Sequence, residues 1–435
     1  PALKWSAVSR TLILAAAFLV PSWSFAQGDC SVPGQNLFVR NTLQNYYLWY
    51  QQLPDPNPAL FDSPEAYLEA VRYRPIDTTF SFITSQAAND AFFSDSQFIG
   101  LGISTKLVGP AELRLADVFP DGPAAEAGLE RGDQILAIDG VSLADIVARD
   151  QLGSAFGPSD IGFTVHLRFR HLSGAEAEAD ITKRVVTIPT VGLTRVYEVD
   201  GRKVGYVVFK NFVEPSVAAL DAAFTQLGQE GATELILDLR YNGGGLLSVA
   251  QHLGSLIGGM RTNAQVFATL VYNDKNTGRN QVYRFDDPRA ARDFSRAVVI
   301  TTRGSASASE TVINSLRPFI PVVTVGDTSY GKPVGQIGFN FCGKVLFPVA
   351  FSVRNSANQG DYFGGLPADC PAPDDLDHAF GDPQEGSLAE ALHYLQAGAC
   401  SAAAAASRAK LQARLPRGVR APHTESGWQQ LLGAY

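Results

Sequence analysis

The chain has 435 residues, a hydrophobic fraction of 46%, a charged fraction of 18% and a formal net charge of −8. This composition excludes a disordered chain, a coiled coil and a collagen, and the length suggests about three folding units. A mildly acidic chain without a basic cluster is a poor nucleic-acid binder. Four cysteines in 435 residues are too few for a disulfide scaffold, and the lack of a C-x-x-C pair argues against a zinc site.

The first 26 residues have the pattern of a secretory signal. Lys4 and Arg10 supply positive charge before the apolar run Thr11–Val20. A small residue, Ala26, then stands directly before a predicted cleavage site. This run is too short for a bilayer core, which needs about 20 apolar residues. We therefore expect export to the periplasm or the extracellular space, with an uncleaved N-terminal anchor as the alternative.

Export would place the cysteines in an oxidising compartment, where they can pair. Four cysteines allow three connectivities. We expect Cys342–Cys370, which would close a loop-rich insertion, and Cys30–Cys400, which would tie the mature N-terminus to a late helix. Free buried thiols are the alternative.

Residues 27–96 are expected to form a small helical domain. The segment Asn36–Tyr50 places apolar side chains at spacings of three and four residues, as in a helix. A proline-rich stretch then ends this helix. Ser63 and Pro64 predict the start of a second helix, with serine as N-cap and proline as the first helical residue.

Residues 97–185 are rich in glycine and predicted strands, among them Leu113–Val118 and Gln134–Ile138. Within them, residues 121–140 read DGPAAEAGLERGDQILAIDG, and the segment resembles a PDZ domain. The resemblance implies that the domain binds a chain terminus by strand addition; a packing-only module is the alternative. The carboxylate-binding loop that the resemblance implies consists of Phe98, Ile99, Gly100 and Leu101.

Residues 186–398 alternate between predicted strands and helices, which indicates a parallel, layered sheet. The predicted strands are Val204–Phe209, Glu234–Leu239, Ala297–Thr301 and Pro321–Gly326. The predicted helices are Pro215–Leu227, Leu246–Ile257 and Glu310–Leu316. Residues 399–435 are expected to form a partly helical or flexible tail.

A glycine loop follows one of these strands, because residues 238–245 read DLRYNGGG. Backbone N–H groups near a helix N-terminus favour negative charge and could hold a phosphate or a developing oxyanion. An ordinary strand-to-helix turn is the alternative.

A serine-rich segment, GSASASE at residues 304–310, follows a buried strand and opens a helix. Ser307 would be exposed at the positive end of that helix, where a nucleophile could act. Ser307 and Glu310 also fit a capping box, which is the structural alternative.

A third segment, GDTSYGKP at residues 326–333, nearly matches the phosphate-loop pattern. Pro333 has no hydroxyl group to bind Mg²⁺, and the residues after it predict a strand where a phosphate loop would open a helix. We therefore expect no nucleotide binding, and Lys332 needs another explanation.

Lys332 is a candidate base for a serine nucleophile, because none of the six histidines lies in a motif that pairs it with a serine. Burial can lower the pKa of a lysine enough to leave the amine neutral. Gln336 lies on the same face of the predicted strand and could orient that amine. Four extended residues span about 13 Å. For the two side chains to meet, the lysine must therefore lean along the strand toward Gln336 or the chain must bend.

Taken together, these motifs resemble those of the carboxyl-terminal processing proteases, the tail-specific Ser/Lys endopeptidases of peptidase family S41. Ser307 and Lys332 stand 25 residues apart, and the glycine loop is similar to the family's D-L-R-x-N-x-G-G motif. The resemblance implies an α/β multidomain protein. Its parts would be a ClpP/crotonase-like layered α/β catalytic domain, a mostly β PDZ domain and a small N-terminal helical domain.

The resemblance also implies roles for individual residues. The nucleophile would be Ser307, the general base Lys332, the orienting residue Gln336, and the oxyanion hole the N–H groups of Gly244 and Ala308. Two positions depart from the pattern: Gly243 stands where the family often has proline, and Pro333 where it often has glycine.

The implied reaction requires no metal and no cofactor, and its partners would be protein or peptide substrates with apolar C-termini. The oligomeric state stays open. The main alternative is a catalytically weak or inactive PDZ-containing protein of the cell envelope that only binds peptides. A structural envelope protein without turnover is a further alternative.

Overall fold

The structure is a computed structural model that describes residues 29–407 and 425–426. The predicted signal in residues 1–26 and most of the tail in residues 399–435 lie outside the described residues. Within the described part, none of the helices combines the length and the apolar character that crossing a membrane requires.

The N-terminal part contains α1 (Val32–Tyr46), α2 (Pro64–Val71), β1 (Phe82–Ser85) and α3 (Gln86–Asp95). The Ser63 hydroxyl caps α2 by accepting the Ala66 N–H, as the sequence predicts. Helix α1 starts before the predicted Asn36, because Ser31 and Pro33 form a similar start signature there.

The PDZ part is mostly β-structure. Its elements are β2 (Gln97–Gly100), β3 (Ile103–Gly109), β4 (Glu112–Val118), α4 (Pro123–Glu126), β5 (Gln134–Ile138), β6 (Val141–Ser142), α5 (Leu143–Ala148), β7 (Thr164–Arg170), β8 (Glu176–Thr182) and β9 (Arg184–Thr187). Strands β3, β4, β5, β7 and β8 form one antiparallel sheet, and β2 pairs separately with β9.

The third part has the alternation that the sequence predicts. Its first elements are β10 (Val191–Val199), β11 (Arg202–Phe209), α6 (Ser216–Glu230), β12 (Glu234–Asp238), α7 (Leu247–Gly258), β13 (Val266–Tyr272), β14 (Gln281–Arg284), β15 (Ala297–Thr301) and α8 (Ala308–Leu316). They are followed by β16 (Val322–Gly326), β17 (Val334–Gln336), β18 (Phe339–Phe341), β19 (Lys344–Phe347), β20 (Val349–Arg354), β21 (Cys370–Pro371) and α9 (Gly386–Ala397). A last short strand, β22 (Glu425–Ser426), pairs with β3 of the PDZ part.

The main sheet of this part has the order β10-β11-β12-β15-β16-β21 and is parallel from β11 onward. Alternate residues of β11 enter two cores: Val207 and Phe209 pack with α6, α7 and α8, whereas Tyr206 and Val208 pack with α9. Strands β13 and β20 of a second sheet cover the other side of the α6–α8 layer. This stacking confirms the layered α/β fold class.

The N-terminal part is joined to the third part by a shared sheet. Strand β1 pairs antiparallel with β19, so that Phe82 stands opposite Phe347. The core of this junction includes Tyr330 and Val334, which flank Lys332 in the chain. The N-terminal part therefore packs directly against the segment that carries the candidate base.

The predicted disulfides Cys342–Cys370 and Cys30–Cys400 are wrong, because the structure joins Cys30 to Cys342 and Cys370 to Cys400. Cys342 lies in the turn between β18 and β19, where the aromatic contacts of α1 bring the N-terminal part close. Cys370 begins β21, on the side of the main sheet that α9 and Cys400 cover. The packing of α1 and α9 decides the pairing.

Candidate active site

The three segments singled out in the sequence meet at one edge of the main sheet. The glycine loop follows β12, the serine-rich segment follows β15, and the lysine segment follows β16. These strands are parallel neighbours, so their carboxyl ends lie side by side. They surround a cavity of about 200 Å³, and its lining includes Ser307, Ala308, Lys332, Gln336, Gly243 and Gly244.

Ser307 is held in an unusual backbone conformation at the start of α8, with φ 55° and ψ −111°. A positive φ is uncommon for a residue with a side chain, and such strain persists only where the surroundings enforce it. Here the Ser307 N–H donates to Glu310 Oε2 at 2.9 Å. The serine thus lines the cavity at the N-terminus of a helix, where the dipole favours negative charge.

Glu310 connects the serine-rich segment with the lysine segment. The fully buried carboxylate accepts the N–H groups of Ser307 (2.9 Å), Lys332 (2.8 Å) and Gly331 (2.7 Å) and the hydroxyl of Ser329 (2.5 Å). Burial raises the pKa of Glu310, against the effect of these donors. The sequence suggested Glu310 only as a helix cap; its second role depends on the β16–β17 segment folding over α8.

Lys332 is buried, with 3% of its surface exposed. Burial lowers the pKa of its amine to about 8, while the charges of Asp77 and Glu310 act in the opposite direction. The amine donates to Gln336 Oε1 at 2.8 Å, and it lies 5.8 Å from the centre of the Phe80 ring. At neutral to mildly alkaline pH a substantial fraction of this amine can therefore be neutral and accept a proton.

The side chain of Gln336 is held in place through its amide nitrogen. Its Nε2 donates to the carbonyls of Phe80 (2.5 Å) and Phe347 (3.1 Å), which leaves Oε1 directed at the lysine. The pairing of β17 with β20 shifts register between Gly335 and Gln336. This irregularity bends the chain as the sequence analysis required, because a regular strand would keep the side chains of Lys332 and Gln336 further apart.

The N-terminal part contributes a support for the candidate base that the sequence analysis missed. The Asp77 carboxylate accepts the N–H groups of Phe80 (2.8 Å) and Ser81 (3.0 Å) and the Tyr47 hydroxyl (2.8 Å). These bonds hold the Phe80 carbonyl where Gln336 binds it. A single aspartate in a loop carries no recognisable motif, so the sequence offered no signal for this contact.

The glycine loop approaches the start of α8 very closely. Gly244 has φ 98°, and a Cβ atom there would lie 2.7 Å from the Ala308 nitrogen and 2.9 Å from the Ser307 Cβ. Only glycine fits this position without displacing Ser307. The Gly244 N–H donates to Asn242 Oδ1 at 3.0 Å, so this donor must exchange partners before it can bind an oxyanion.

A buried ionic network fixes the chain just before the glycine loop. Arg240 and Asp238 are both buried and bond through Nη2 and Oδ2 at 2.7 Å, and Arg240 also contacts Glu385 at 2.8 Å. Burial alone would raise the pKa of Asp238, but the Arg240 guanidinium lowers it overall. Loss of either partner would leave a buried charge without a counter-ion. The pair and its further hydrogen bonds therefore stabilise one backbone geometry.

The remaining wall of the cavity is mostly apolar and aromatic, with Thr311 as its polar side chain. The apolar residues are Phe82, Phe92, Phe93, Leu246, Leu247, Val334, Phe347, Phe351 and Val353. The wall therefore draws on the N-terminal part, the glycine loop and the second sheet, and it suits apolar side chains.

The residues proposed for the PDZ carboxylate loop lie outside this cavity. Phe98, Ile99 and Gly100 belong to β2, and Phe98 packs edge-on against Phe119 at 6.0 Å. Leu101 is buried in the PDZ core. Because most of the predicted loop is strand, the turn before β3 is short, and the binding role of these residues stays a prediction.

Comparison with known proteins supports the assignment of each part. Family profiles match residues 34–82 (Peptidase S41 N-terminal domain), residues 115–151 (PDZ domain) and residues 203–357 (Peptidase family S41). A carboxyl-terminal-processing protease of a Picosynechococcus strain is 30% identical over 224 residues, which are 50% of each chain. A chloroplastic C-terminal processing peptidase of Tetradesmus obliquus is 28% identical over 229 residues, which are 50% of this chain and 47% of the relative.

The chain spans about half the length of these curated relatives. A crystal structure assigned to the S41 proteases, from Bacteroides fragilis, superposes with a TM-score of 0.65 and 26% identity, and covers 83% of this chain and 97% of that chain. The order of the three matched regions is also the order of the three parts of the fold. The chain is therefore similar to peptidase family S41 over residues 34–82 and 203–357.

Proposed function

We propose that the protein is a serine endopeptidase that uses Ser307 as nucleophile and Lys332 as general base. The observation that carries this proposal is the buried amine of Lys332, whose pKa is lowered to about 8, in the same cavity as a strained serine at a helix N-terminus. A peptide-binding protein without catalysis would have no need for a lysine in this state.

In the proposed reaction the neutral Lys332 amine takes the proton of the Ser307 hydroxyl while the serine oxygen attacks the peptide carbonyl. The N–H groups of Ala308 and Gly244 would stabilise the tetrahedral oxyanion, once Gly244 has released Asn242. Lys332 then returns its proton to the leaving amine, which leaves an acyl-enzyme. Water, deprotonated by the same amine, hydrolyses the ester and restores both groups.

The substrates would be protein chains with apolar C-terminal residues. The aromatic wall of the cavity suits apolar side chains next to the cut bond. The PDZ domain would capture the chain terminus and raise the local concentration of the segment to be cut. Two disulfides support an oxidising compartment, which agrees with export to the periplasm or the extracellular space.

The test compares cleavage of an unstructured protein, β-casein, by the wild type, Ser307→Ala and Lys332→Met, with mass spectrometry of the products. We expect both variants to lose cleavage by at least about a hundredfold. Lys203→Met is the matched control, because this lysine is exposed on β11 and should retain full activity. Unchanged cleavage by Ser307→Ala would exclude this serine as the nucleophile.

Dependence on a free carboxyl terminus is a separate part of the proposal. Peptides of one sequence that end in a free carboxylate or in an amide should differ in KM, with the amide the poorer substrate. Equal KM values would exclude recognition of the free carboxyl terminus, but they would not affect the hydrolase assignment.

A further inference from the structure

A short segment late in the chain lies on the edge of the PDZ sheet. Strand β22 pairs antiparallel with β3, with Glu425 opposite Lys106 and Ser426 opposite Thr105. On its other side β3 pairs with β4, so β22 occupies the edge of the sheet. The PDZ sheet is thus extended by a strand that is remote in sequence from the domain.

The direction of this added strand is the one expected for a bound peptide. Because the pair is antiparallel, the chain runs from Glu425 to Ser426 while β3 runs back toward its start at Ile103. That start follows the glycine-containing turn at Gly102, which has φ 81°. An extended peptide that adds to this edge in the same direction would point its C-terminal side toward this turn.

We propose that strand β22, Glu425–Ser426, is an intramolecular ligand of strand β3 and competes with external chain termini for the PDZ groove. The proposal rests on the peptide-capture role proposed above. Residues 408–424 separate this segment from the helical turn at 402–407, and 18 residue steps of chain can span at most about 60 Å. A tether of this length gives an effective concentration that favours binding within one molecule.

The occupied edge adjoins the contact between the PDZ domain and the catalytic part. Lys106, the register partner of Glu425, donates through Nζ to Asp374 Oδ2 at 2.7 Å. Asp374 also accepts Arg240 Nη1 at 3.1 Å, and Arg240 lies just before the glycine loop. A strand held at Lys106 therefore lies two contacts away from the chain that leads into the candidate oxyanion hole.

The test uses the full chain with Ser307→Ala, so that no arm depends on catalysis. Glu425→Pro/Ser426→Pro removes both backbone N–H groups, whereas Glu425→Ala/Ser426→Ala keeps them and changes only the side chains. Hydrogen exchange should become faster in β3 of the proline variant and stay unchanged in the alanine variant. Unchanged exchange in β3 of the proline variant would overturn the proposal.

A second measurement reports competition directly. A fluorescein-labelled synthetic peptide that copies residues 419–431 should bind the proline variant at least about threefold more tightly than the alanine variant. Threefold corresponds to two-thirds occupancy of the groove by the tethered segment. Equal affinity for the two variants would overturn the competition.

Protein concentration distinguishes binding within one molecule from binding between copies. The protection of β3 should be independent of concentration between about 1 and 100 μM, since an intramolecular contact does not dilute. Protection that disappears on dilution would assign the segment to a second copy and overturn the intramolecular proposal. Casein cleavage by the catalytically intact chain tests the hydrolase function separately, and its outcome does not depend on these results.

Discussion

Replacement of Glu310 by glutamine is the sharpest test of how the site is held together. The carboxylate accepts four donors, three of them backbone N–H groups from the serine and lysine segments. A glutamine oxygen can accept two of them, and its NH₂ group would then face the others. The Glu310 charge also raises the pKa of Lys332, so its removal should lower that pKa below about 8.

The magnitude follows from the number of bonds lost. Two buried donors without partners cost about 1–3 kcal/mol each, so Glu310→Gln should lower the free energy of unfolding by roughly 2–6 kcal/mol. This is a large part of the total stability of a typical domain, which is about 5–15 kcal/mol. The rate should fall as well, because the serine and the lysine are positioned through this one side chain.

The assays are urea unfolding and the pH dependence of kcat/KM for peptide cleavage. Ser329→Ala is the matched control, because it removes one donor to the same carboxylate and leaves the charge in place. Glu310→Gln should move the rising limb of the pH profile to lower pH, whereas Ser329→Ala should leave it where it is. A wild-type rate with an unmoved limb, or a limb moved to higher pH, would refute the positioning role.

Three further predictions concern the base, the glycine loop and the covalent links. Activity should rise with pH through about 8 as Lys332 loses its proton; since its folded pKa lies below the unfolded value, folding stability should also increase from about pH 8 to 10.5, which pH-dependent unfolding measures. Gly244→Ala should reduce kcat by about 10²–10³ with unchanged circular dichroism, because the added Cβ would meet Ala308 N at 2.7 Å; a normal kcat would contradict the close approach. Cys30→Ser/Cys342→Ser should lower stability by roughly 2–5 kcal/mol in thermal unfolding, and equal melting temperatures would show that this bond contributes nothing.

The local features of the sequence predict most elements of the fold. The runs of apolar residues predict β5 and β15 with their correct bounds, and the Ser-Pro signature predicts the start of α2. These predictions succeed because periodicity, caps and turns depend on neighbours within a few residues. For the same reason Ser307 and Glu310 could be recognised as a capping pair, while the second function of Glu310 could not.

The resemblance of separate motifs supplies the residues of the candidate site, but their surroundings come from distant parts of the chain. Burial lowers the pKa of Lys332, and one of the side chains near its amine is Phe80, which lies about 250 residues earlier in the sequence. Asp77 holds that segment in place by accepting hydrogen bonds from its backbone N–H groups, and no sequence motif indicates these bonds. Burial and charge at one point are sums over everything that packs there, so spacing along the chain does not give them.

The sequence by itself determined the order of the three parts, the parallel alternation around the main sheet and the serine and lysine proposed for the chemistry. The tertiary structure decided the disulfide partners, the register shift that lets Gln336 reach the lysine, and the approach of Gly244 to the start of α8. The physical reason is the range of the interactions. Local conformational preferences depend on adjacent residues, whereas contacts between β1 and β19 or between α9 and β21 form only when the layers pack together.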